Sequence, residues 1–571
     1  MQSFNNQQLW SIVEEIVLNR GRKLKRYKFF EKVWEALERA QLLVLEAPPG
    51  AGKTEALHTP FLAGLRTDSR KWLSLVHTLP MRSLVENMFA RGCKELKALG
   101  ITNVVPTVDH GLAAIEPFLE GDLVFTTYDT LIYTMYGYRV RGYHVLMPLG
   151  KLIKSLVLLD EVQLLQDSYW YPLSVLPFHI GFLVELNSTV VLTTATLPEV
   201  LLQLIKEEVK RKEIQMEFVR CDEKPLRGAL KVNLSNESLF RIIDENIERF
   251  EKPLLIVTNT VERAVKVYWK VRKQGYSPLL LHSRLKKKVR KEREIVFEGN
   301  QGPSLLVTTQ VVEAGIDYDI RTVITDIAPI DSLIQRLGRC ARYENGEAWI
   351  CGFNKEDALE STKHVYPSLI CERTLEQLDE DSLSKSVEDV KIAHELVSNV
   401  YTEEVIHELR RSIEIRNLID SVSKFANSMA SSEEIWRPRA FNKVVESLLR
   451  IGQEIHCLVL TQDDYTKLLY NICQGKCKID WLKPDYIQDS SFSFSIQEKV
   501  NYDFLKHVIN GEKLYLVLEF NNEQAFINKL TDLKNIRNKL KENSNLFLIV
   551  NPEYYEYDEG YDLGVIRVRG T

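Results

Sequence analysis

The run Gln41-Leu42-Leu43-Val44-Leu45-Glu46-Ala47-Pro48-Pro49-Gly50-Ala51-Gly52-Lys53-Thr54 passes from an apolar segment into a loop of prolines and glycines, then into a Lys-Thr pair. The Leu/Val content predicts a short buried strand, and Pro48, Pro49 and Gly50 end it. A Gly-rich loop lets backbone N–H groups converge on phosphate oxygens, because glycine adopts backbone angles closed to other residues. The helix expected next presents its N-terminus to the same anion. Lys53 would reach the β- and γ-phosphates, the Thr54 hydroxyl would ligate Mg²⁺, and Gly50 and Gly52 shape the cradle. The strict pattern opens with Gly, whereas Ala47 stands there in this chain.

Working outward, strand-like runs alternate with helical stretches to about residue 220. They are Trp72–His77, Leu123–Thr126, Leu156–Leu159 and Val190–Thr193. Such alternation predicts a parallel sheet of β-α-β units. Leu156–Leu159 leads into Asp160-Glu161-Val162-Gln163. Two acids at the carboxyl edge of a parallel sheet lie where ligand sites of α/β folds form. Asp160 can hold Mg²⁺ through water, and Glu161 can orient and deprotonate the water that attacks a γ-phosphate. Alone, such a pair is most often a solvated turn. It gains meaning from following a phosphate loop in the same domain. Thr194-Ala195-Thr196, ending the next strand, gains weight only from that company.

A second set of strand-like runs, Leu254–Val257, Pro278–Leu281, Leu305–Val307 and Val323–Ile324, predicts a second domain of similar build. It contains Gln335-Arg336-Leu337-Gly338-Arg339-Cys340-Ala341-Arg342. Its three arginines at i, i+3 and i+6 would line one side of a helix. In isolation a solvated basic face explains them equally well. Facing ATP, such an arginine stabilises charge on the transferred phosphoryl and is worth about 10³–10⁵ in rate. Residues 356–450 read as helical. Residues 451–571 are mixed, with strands expected at Leu514–Leu518 and Leu546–Val550 and an aromatic acidic tail at Pro552–Tyr561.

Composition sets the outer bounds. The 571 residues suggest several cores, and 74 basic against 79 acidic residues exclude a broadly cationic coat protein. A local basic channel stays compatible with that balance; the densest basic clusters are Lys286–Lys291 and Arg20–Lys28. No apolar run is long enough for a bilayer span and the start lacks a secretory signal, so a cytoplasmic protein without a membrane partner is expected. Eight scattered Cys do not resemble a disulfide framework. Cys473 and Cys477, with His456, would suit zinc only if a second matching pair existed; reduced thiols are the plainer reading.

Taken in order, these motifs resemble those of a superfamily 2 helicase: A-P-P-G-A-G-K-T, T-L-P-M-R, D-E-V-Q, T-A-T, T-T-Q-V-V-E-A-G-I-D and Q-R-L-G-R-C-A-R. The chain looks most like the CRISPR-associated effector helicase of type I interference systems. The pointers are T-T-A-T-L-P, L-H-S-R-L at Leu281–Leu285 and the ending I-V-N-P-E-Y-Y-E-Y-D-E-G-Y-D-L-G-V. The resemblance covers residues 25–350 well and the last stretch weakly. It implies an α/β fold of two tandem RecA-like parallel-sheet domains, a helical linker and a small C-terminal domain. The corresponding segments are 1–222, 223–355, 356–450 and 451–571. It further implies ATP and Mg²⁺ as cofactors and 3′→5′ movement on single-stranded DNA. Gly315, Asp317 and Gln335 would contact nucleotide, with Asp317 near the ribose. Arg339 would bind phosphates, Arg342 would be the finger, and Thr194 and Thr196 would couple hydrolysis to the DNA cleft. Gln163 replaces the family's usual His and can still bridge domains by hydrogen bonds. No adenine-reading Gln stands near Tyr27–Lys32.

Backbones of nucleic acids are gripped by hydroxyls, amides and cations. The candidates are Thr78, Arg82, Thr127, Thr258, Asn259, His282, Arg284, Thr308 and Thr309, with Tyr128 the aromatic nearest to them. The family's full-length members carry an HD nuclease. This chain has 11 His and no His-Asp pair, and its phosphate loop starts at residue 47. His394-Glu395 and His407-Glu408 read as surface pairs. The expectation is the split form, served by an HD nuclease in trans and a CRISPR RNA-guided surveillance complex. Two alternatives stay open: an RNA helicase of the same superfamily, and an ATP-gated nucleic-acid clamp or scaffold that does not unwind.

Overall fold

The computed structural model describes residues 4–20, 24–110, 119–137, 146–296, 302–313, 318–353, 361–363, 365–430, 447–449, 453–474, 476, 478–496, 515–521, 524–530 and 546–565. Two helices, α1 (Asn6–Asn19) and α2 (Lys28–Arg39), precede strand β1 (Leu42–Glu46). Helix α3 (Lys53–Thr67), β2 (Leu75–Leu79), α4 (Arg82–Ala98), β3 (Pro106–Asp109), β4 (Leu123–Thr127) and α5 (Tyr128–Met135) follow. Then come α6 (Leu146–Leu152), β5 (Leu156–Leu159), α7 (Tyr171–Glu185), β6 (Thr189–Thr194), α8 (Glu199–Arg211) and β7 (Met216–Arg220). The sheet order is β3-β4-β2-β5-β6-β1-β7, and its pairings are parallel. Strands β1, β2, β4, β5 and β6 are buried along their whole length. That is why they read as continuous apolar runs rather than alternating ones.

The second sheet runs β10-β11-β9-β12-β13-β8. Its strands are β8 (Leu230–Ser235), β9 (Leu254–Val257), β10 (Leu279–Leu281), β11 (Leu305–Thr308), β12 (Thr322–Asp326) and β13 (Gly346–Cys351). The helices among them are α9 (Leu239–Asn246), α10 (Val261–Lys273), α11 (Lys287–Ile295) and α12 (Ile330–Leu337). The fold is thus two parallel-sheet α/β domains of RecA-like build. Residues 368–430 are helical where described. A third, mostly antiparallel sheet follows, comprising β14 (Gln453–Val459), β15 (Lys478–Ile479), β16 (Ser491–Ile496), β17 (Tyr515–Asn521), β18 (Gln524–Leu530) and β19 (Leu546–Val550). It has its own apolar cluster around Leu458, Leu468, Leu518 and Ile549. No described helix is long and apolar enough to cross a membrane.

Three expectations change. The strand expected at Trp72–His77 starts at Leu75, because the buried Trp72 turns its indole to donate to Thr189 Oγ1 at 2.8 Å. The aromatic acidic tail is instead a hairpin, β20 (Tyr555–Asp558) and β21 (Tyr561–Val565). Glu559 and Gly560, at φ 49° and 89°, supply the paired positive angles that tight hairpin turns require. Packing also divides the chain differently from four consecutive segments. One compact unit holds residues 1–232, 328–345 and 366–450; the other holds 233–327, 346–365 and 451–571. Helix α12 joins the first unit because its buried Asp331 accepts from Tyr401 Oη at 2.6 Å and from Gln166 Nε2, while Arg227 donates to the Cys340 carbonyl at 2.5 Å.

Candidate active site

Strand β1 lies between β6 and β7 in the first sheet, so the chain leaves it at the sheet's carboxyl edge. The Ala47 amide donates to the Thr194 carbonyl at 3.1 Å, fixing the loop's start to the end of β6. Gly50 and Gly52 then take φ of 81° and 88°, which release the chain into α3 at Lys53. Phe30 of α2 lies under the second turn so closely that a Cβ on Gly52 would come 2.9 Å from its ring. The loop and the α3 N-terminus, whose first amides lack intrahelical partners, thus lie together at this edge. Lys53 Nζ sits 3.3 Å from the Ala47 carbonyl and 3.4 Å from Glu161 Oε1. Thr54 occupies the first turn of α3.

The acids emerge where β5 ends. Asp160 is buried. Its Oδ1 accepts from the Glu161 amide at 3.0 Å and from the Thr193 hydroxyl, and its Oδ2 lies 3.2 Å from His77 Nε2. Burial alone would raise its pKa, but the His77 hydrogen bond and the Lys53 charge hold it below the ordinary carboxylate range. Asp160 therefore stays an anion. Glu161 adopts φ 52°, a left-handed angle that L side chains rarely take. Strain of this kind persists where the surroundings over-determine a functional geometry. It turns the Glu161 carboxylate back toward Lys53.

From Glu161 a hydrogen-bonded line leads to the next strand. Gln163 Nε2 donates to Glu161 Oε2 at 2.5 Å, and Thr194 Oγ1 lies 2.7 Å from Gln163 Oε1. The Thr196 amide in turn donates to Thr194 Oγ1 at 3.0 Å. Gln163, Thr194 and Thr196 are thus brought together with the acids, within one unit.

The arginine motif is placed differently from expectation. Helix α12 ends at Leu337, so only Arg336 projects from it, fully buried and donating to Tyr366 Oη at 3.0 Å. Arg339 and Arg342 follow on an irregular turn, where Ala341 takes φ 55°. Arg342 Nε donates to the Gly338 carbonyl at 3.4 Å. A Cβ on Gly338 would lie 3.4 Å from Pro49 Cγ, so this turn approaches the phosphate loop. Gln335 is buried, and its Nε2 has no hydrogen-bond partner among the described residues. A buried amide donor in that state suits a ligand oxygen. Gly315 and Asp317 lie outside the described residues.

For Mg²⁺ the residues fit. The Thr54 hydroxyl and Asp160 carboxylate are hard oxygen donors. Of a carboxylate's roughly four acceptor positions, three on Asp160 are taken by protein groups.

The nucleic-acid candidates fare unevenly. Thr78, Thr127, Thr258, Asn259, His282, Thr308 and Thr309 are buried, so their side chains are not open to a backbone track. Thr127 caps α5, Asn259 Nδ2 donates to the Ile327 carbonyl at 2.7 Å, and His282 Nε2 faces the Leu563 carbonyl at 2.8 Å. Arg82 and Arg284 keep some surface; Arg284 pairs with Glu262 at 2.6 Å. Tyr128 is buried too, donating to the Asp160 carbonyl at 3.0 Å, and is no stacking platform. His394 is not a surface residue: its Nδ1 lies 2.9 Å from Oε1 of the buried Glu46, next to the loop. Cys477 lies outside the described residues. Sequence reasoning missed His58, His77 and Glu95. The signal for the histidines was their place among apolar residues in elements beside the motifs; Glu95, in the charged helix α4, gave none.

Comparison with known proteins follows the same lines. The DEAD/DEAH box helicase family matches residues 28–204. The C-terminal family of the CRISPR-associated nuclease/helicase Cas3 matches residues 251–345. The chain is 31% identical over 403 residues to the CRISPR-associated helicase Cas3 of Thermoproteus tenax, covering 66% of this chain and 67% of that protein. It is 24% identical over 465 residues to the CRISPR-associated nuclease/helicase Cas3 of Methanothermobacter thermautotrophicus, covering 72% of this chain and 52% of the relative. The solved structure of T. fusca Cas3 with AMPPNP is similar in fold, with a TM-score of 0.55 at 18% identity over 78% of this chain and 60% of that one. The chain therefore spans about half to two thirds of these proteins' lengths.

Proposed function

The chain belongs to the Cas3 family of CRISPR-associated, ATP-dependent helicases, and on that premise we propose that it hydrolyses ATP with Mg²⁺ to move 3′→5′ on single-stranded DNA. In this reading it works in the cytoplasm with a CRISPR RNA-guided surveillance complex, and an HD nuclease in trans cuts the DNA it unwinds. The observation that carries the reading is the convergence of Lys53, Asp160, Glu161, Gln163 and Thr194 at one sheet edge, in one hydrogen-bonded line.

The loop amides and Lys53 bind the β- and γ-phosphates, and Thr54 and Asp160 would hold Mg²⁺, which neutralises charge on the phosphate oxygens. Glu161 orients the attacking water and accepts its proton. Its tie to Gln163 and Thr194 makes its position sensitive to the end of β6. Arg339 and Arg342 act on the charge that develops on the transferred group. Asp317 and Gly315 are assigned to the nucleotide as well.

The test is a pair of substitutions. Lys53→Ala should abolish turnover and weaken nucleotide binding. Glu161→Gln should retain binding but lower turnover by about 10²–10⁴, the usual worth of a positioned base. Equilibrium nucleotide titration beside steady-state ATPase rates separates the two. Wild-type turnover in Glu161→Gln would remove Glu161 as base. Assaying stimulation by DNA and by RNA, and strand separation of tailed duplexes, distinguishes a DNA motor from an RNA helicase or a non-unwinding clamp.

A further inference from the structure

Beside Asp160 the first unit buries a row of titratable side chains with no place in the chemistry just described. His77 Nε2 of β2 lies 3.2 Å from Asp160 Oδ2, and His77 Nδ1 lies 2.9 Å from His58 Nε2 of α3. His58 Nδ1 lies 2.8 Å from Glu95 Oε2 of α4. Arg91 then pairs with Glu95 at 2.9 Å and with Glu55 at 2.7 Å, and Glu55 pairs with Arg20 at 2.8 Å. His58, His77 and Glu95 are fully or almost fully buried. The two rings meet edge to face, with centroids 5.1 Å apart, and Phe125 packs near both.

The donors at the two ends of this row are fixed. A carboxylate only accepts, so His77 donates to Asp160 through Nε2 and His58 donates to Glu95 through Nδ1. The two rings meet through their remaining nitrogens. Glu95 is suited to anchoring the row: burial would raise its pKa, but His58 and Arg91 hold it down at about 2.

We propose that His77 and His58 are positioning residues for Asp160. His77 holds one carboxylate oxygen, and the His58–Glu95–Arg91 row fixes the orientation of the His77 ring, leaving Asp160 one acceptor position for the Mg²⁺ shell. Because His58 stands on α3, one turn beyond Thr54, the same row keeps the Thr54 side and the Asp160 side of the metal site in register. This inference rests on the reading of Thr54 and Asp160 as the Mg²⁺ side of an ATP site. A buried His pair that merely satisfies its hydrogen bonds would stabilise the fold without touching metal dependence.

The experiment measures how much Mg²⁺ tightens binding of a fluorescent methylanthraniloyl-ATP to the full chain, from titrations in Mg²⁺ and in EDTA. His77→Leu should keep the EDTA affinity within about twofold and lose about tenfold of the Mg²⁺-dependent tightening, the size of one lost charge-assisted contact. His77→Gln, whose amide can replace the Nε2 donor, should restore most of it. His58→Asn keeps a partner for Glu95 but cuts the link to His77. It should lose about threefold, and combined with His77→Leu it should add nothing further, as members of one chain do. EDTA affinity and thermal melting report whether each variant folds. If His77→Leu does not fold, His58→Asn carries the test, and its wild-type Mg²⁺ dependence overturns the row. Equal losses with and without Mg²⁺ also overturn it. Should the wild type bind equally in Mg²⁺ and EDTA, the metal-site reading itself fails. Should it show the tightening and the variants match it, only the positioning role fails.

Discussion

Arg342 sits on a turn rather than a helix face, tied by its Nε to the Gly338 carbonyl, and that turn approaches Pro49 of the phosphate loop. As the finger proposed above, it acts on charge that develops during transfer, not on the ground state. Arg342→Ala should therefore lower single-turnover hydrolysis by about 10³ while nucleotide affinity changes by less than about threefold. Equal losses in both would make it a ground-state contact. Arg336, fully buried against Tyr366, is expected to behave otherwise: Arg336→Ala should lower the melting temperature. Sequence spacing could not separate these arginines, because three at i, i+3 and i+6 look equivalent until Gly338 ends the helix. Lys53, Thr54, Asp160 and Glu161 were legible because each lies beside a strand end in a pattern with a chemical reason. His77 and His58 were not, since a histidine inside an apolar element shows its partners only after the elements pack.

The hairpin β20–β21 covers the edge of the second sheet, where the sequence offered only an aromatic tail. Arg293 lies 3.8 Å over the Tyr561 ring, Tyr268 donates to Asp558 at 2.9 Å, and Lys286 sits over Tyr555 at 4.4 Å. Under it His282 uses both ring nitrogens, Nε2 donating to Leu563 at 2.8 Å and Nδ1 accepting from the Arg284 amide at 3.2 Å. Burial, opposed by the Leu563 hydrogen bond, pushes His282 down to about 3, and burial likewise pushes His179 in the first unit down to about 4. Unfolded histidine binds its proton near pH 6.5. Between these values the unfolded chain holds protons that the folded one refuses. Stability is thus complete above about pH 6.5 and falls as pH drops toward the folded values. Calorimetric melting from pH 8 to 5 should show that decline, and His282→Asn should flatten part of it. An unchanged slope would assign the acid sensitivity elsewhere. Fully buried strands such as β1 and β5 were readable as apolar runs. The half-exposed β7 and the strands β14, β16 and β18 of the third sheet were not, because their composition is mixed.

At the scale of the whole chain, the reading as a motor predicts ATPase stimulation by single-stranded DNA of any sequence, with affinity falling steeply as salt rises. Duplexes with a single 3′ or 5′ overhang test direction; unwinding only from the 5′ overhang would reverse the proposed polarity. No group of three or more His, Cys, Asp or Glu among the described residues could hold a metal ion. On the proposed division of labour, circular single-stranded DNA should survive incubation with the protein, ATP and Mg²⁺ or Mn²⁺, and be cut once an HD nuclease is added. Cutting by the chain alone, undiminished in Lys53→Ala, would reveal a nuclease site of its own. The RecA-like pairing of sheets followed from alternation in the sequence, whereas the grouping of segments did not, because helix α12 is claimed by side chains far away in the chain. The chain passes between its two compact units five times, after residues 232, 327, 345, 365 and 450. Translation delivers these pieces in order, from the N-terminus. The phosphate loop and its acids emerge early, but the arginine turn comes later, and the helices that hold α12 in place later still. A nascent chain on the ribosome thus carries a nucleotide cradle through part of its synthesis without the arginines that would complete it.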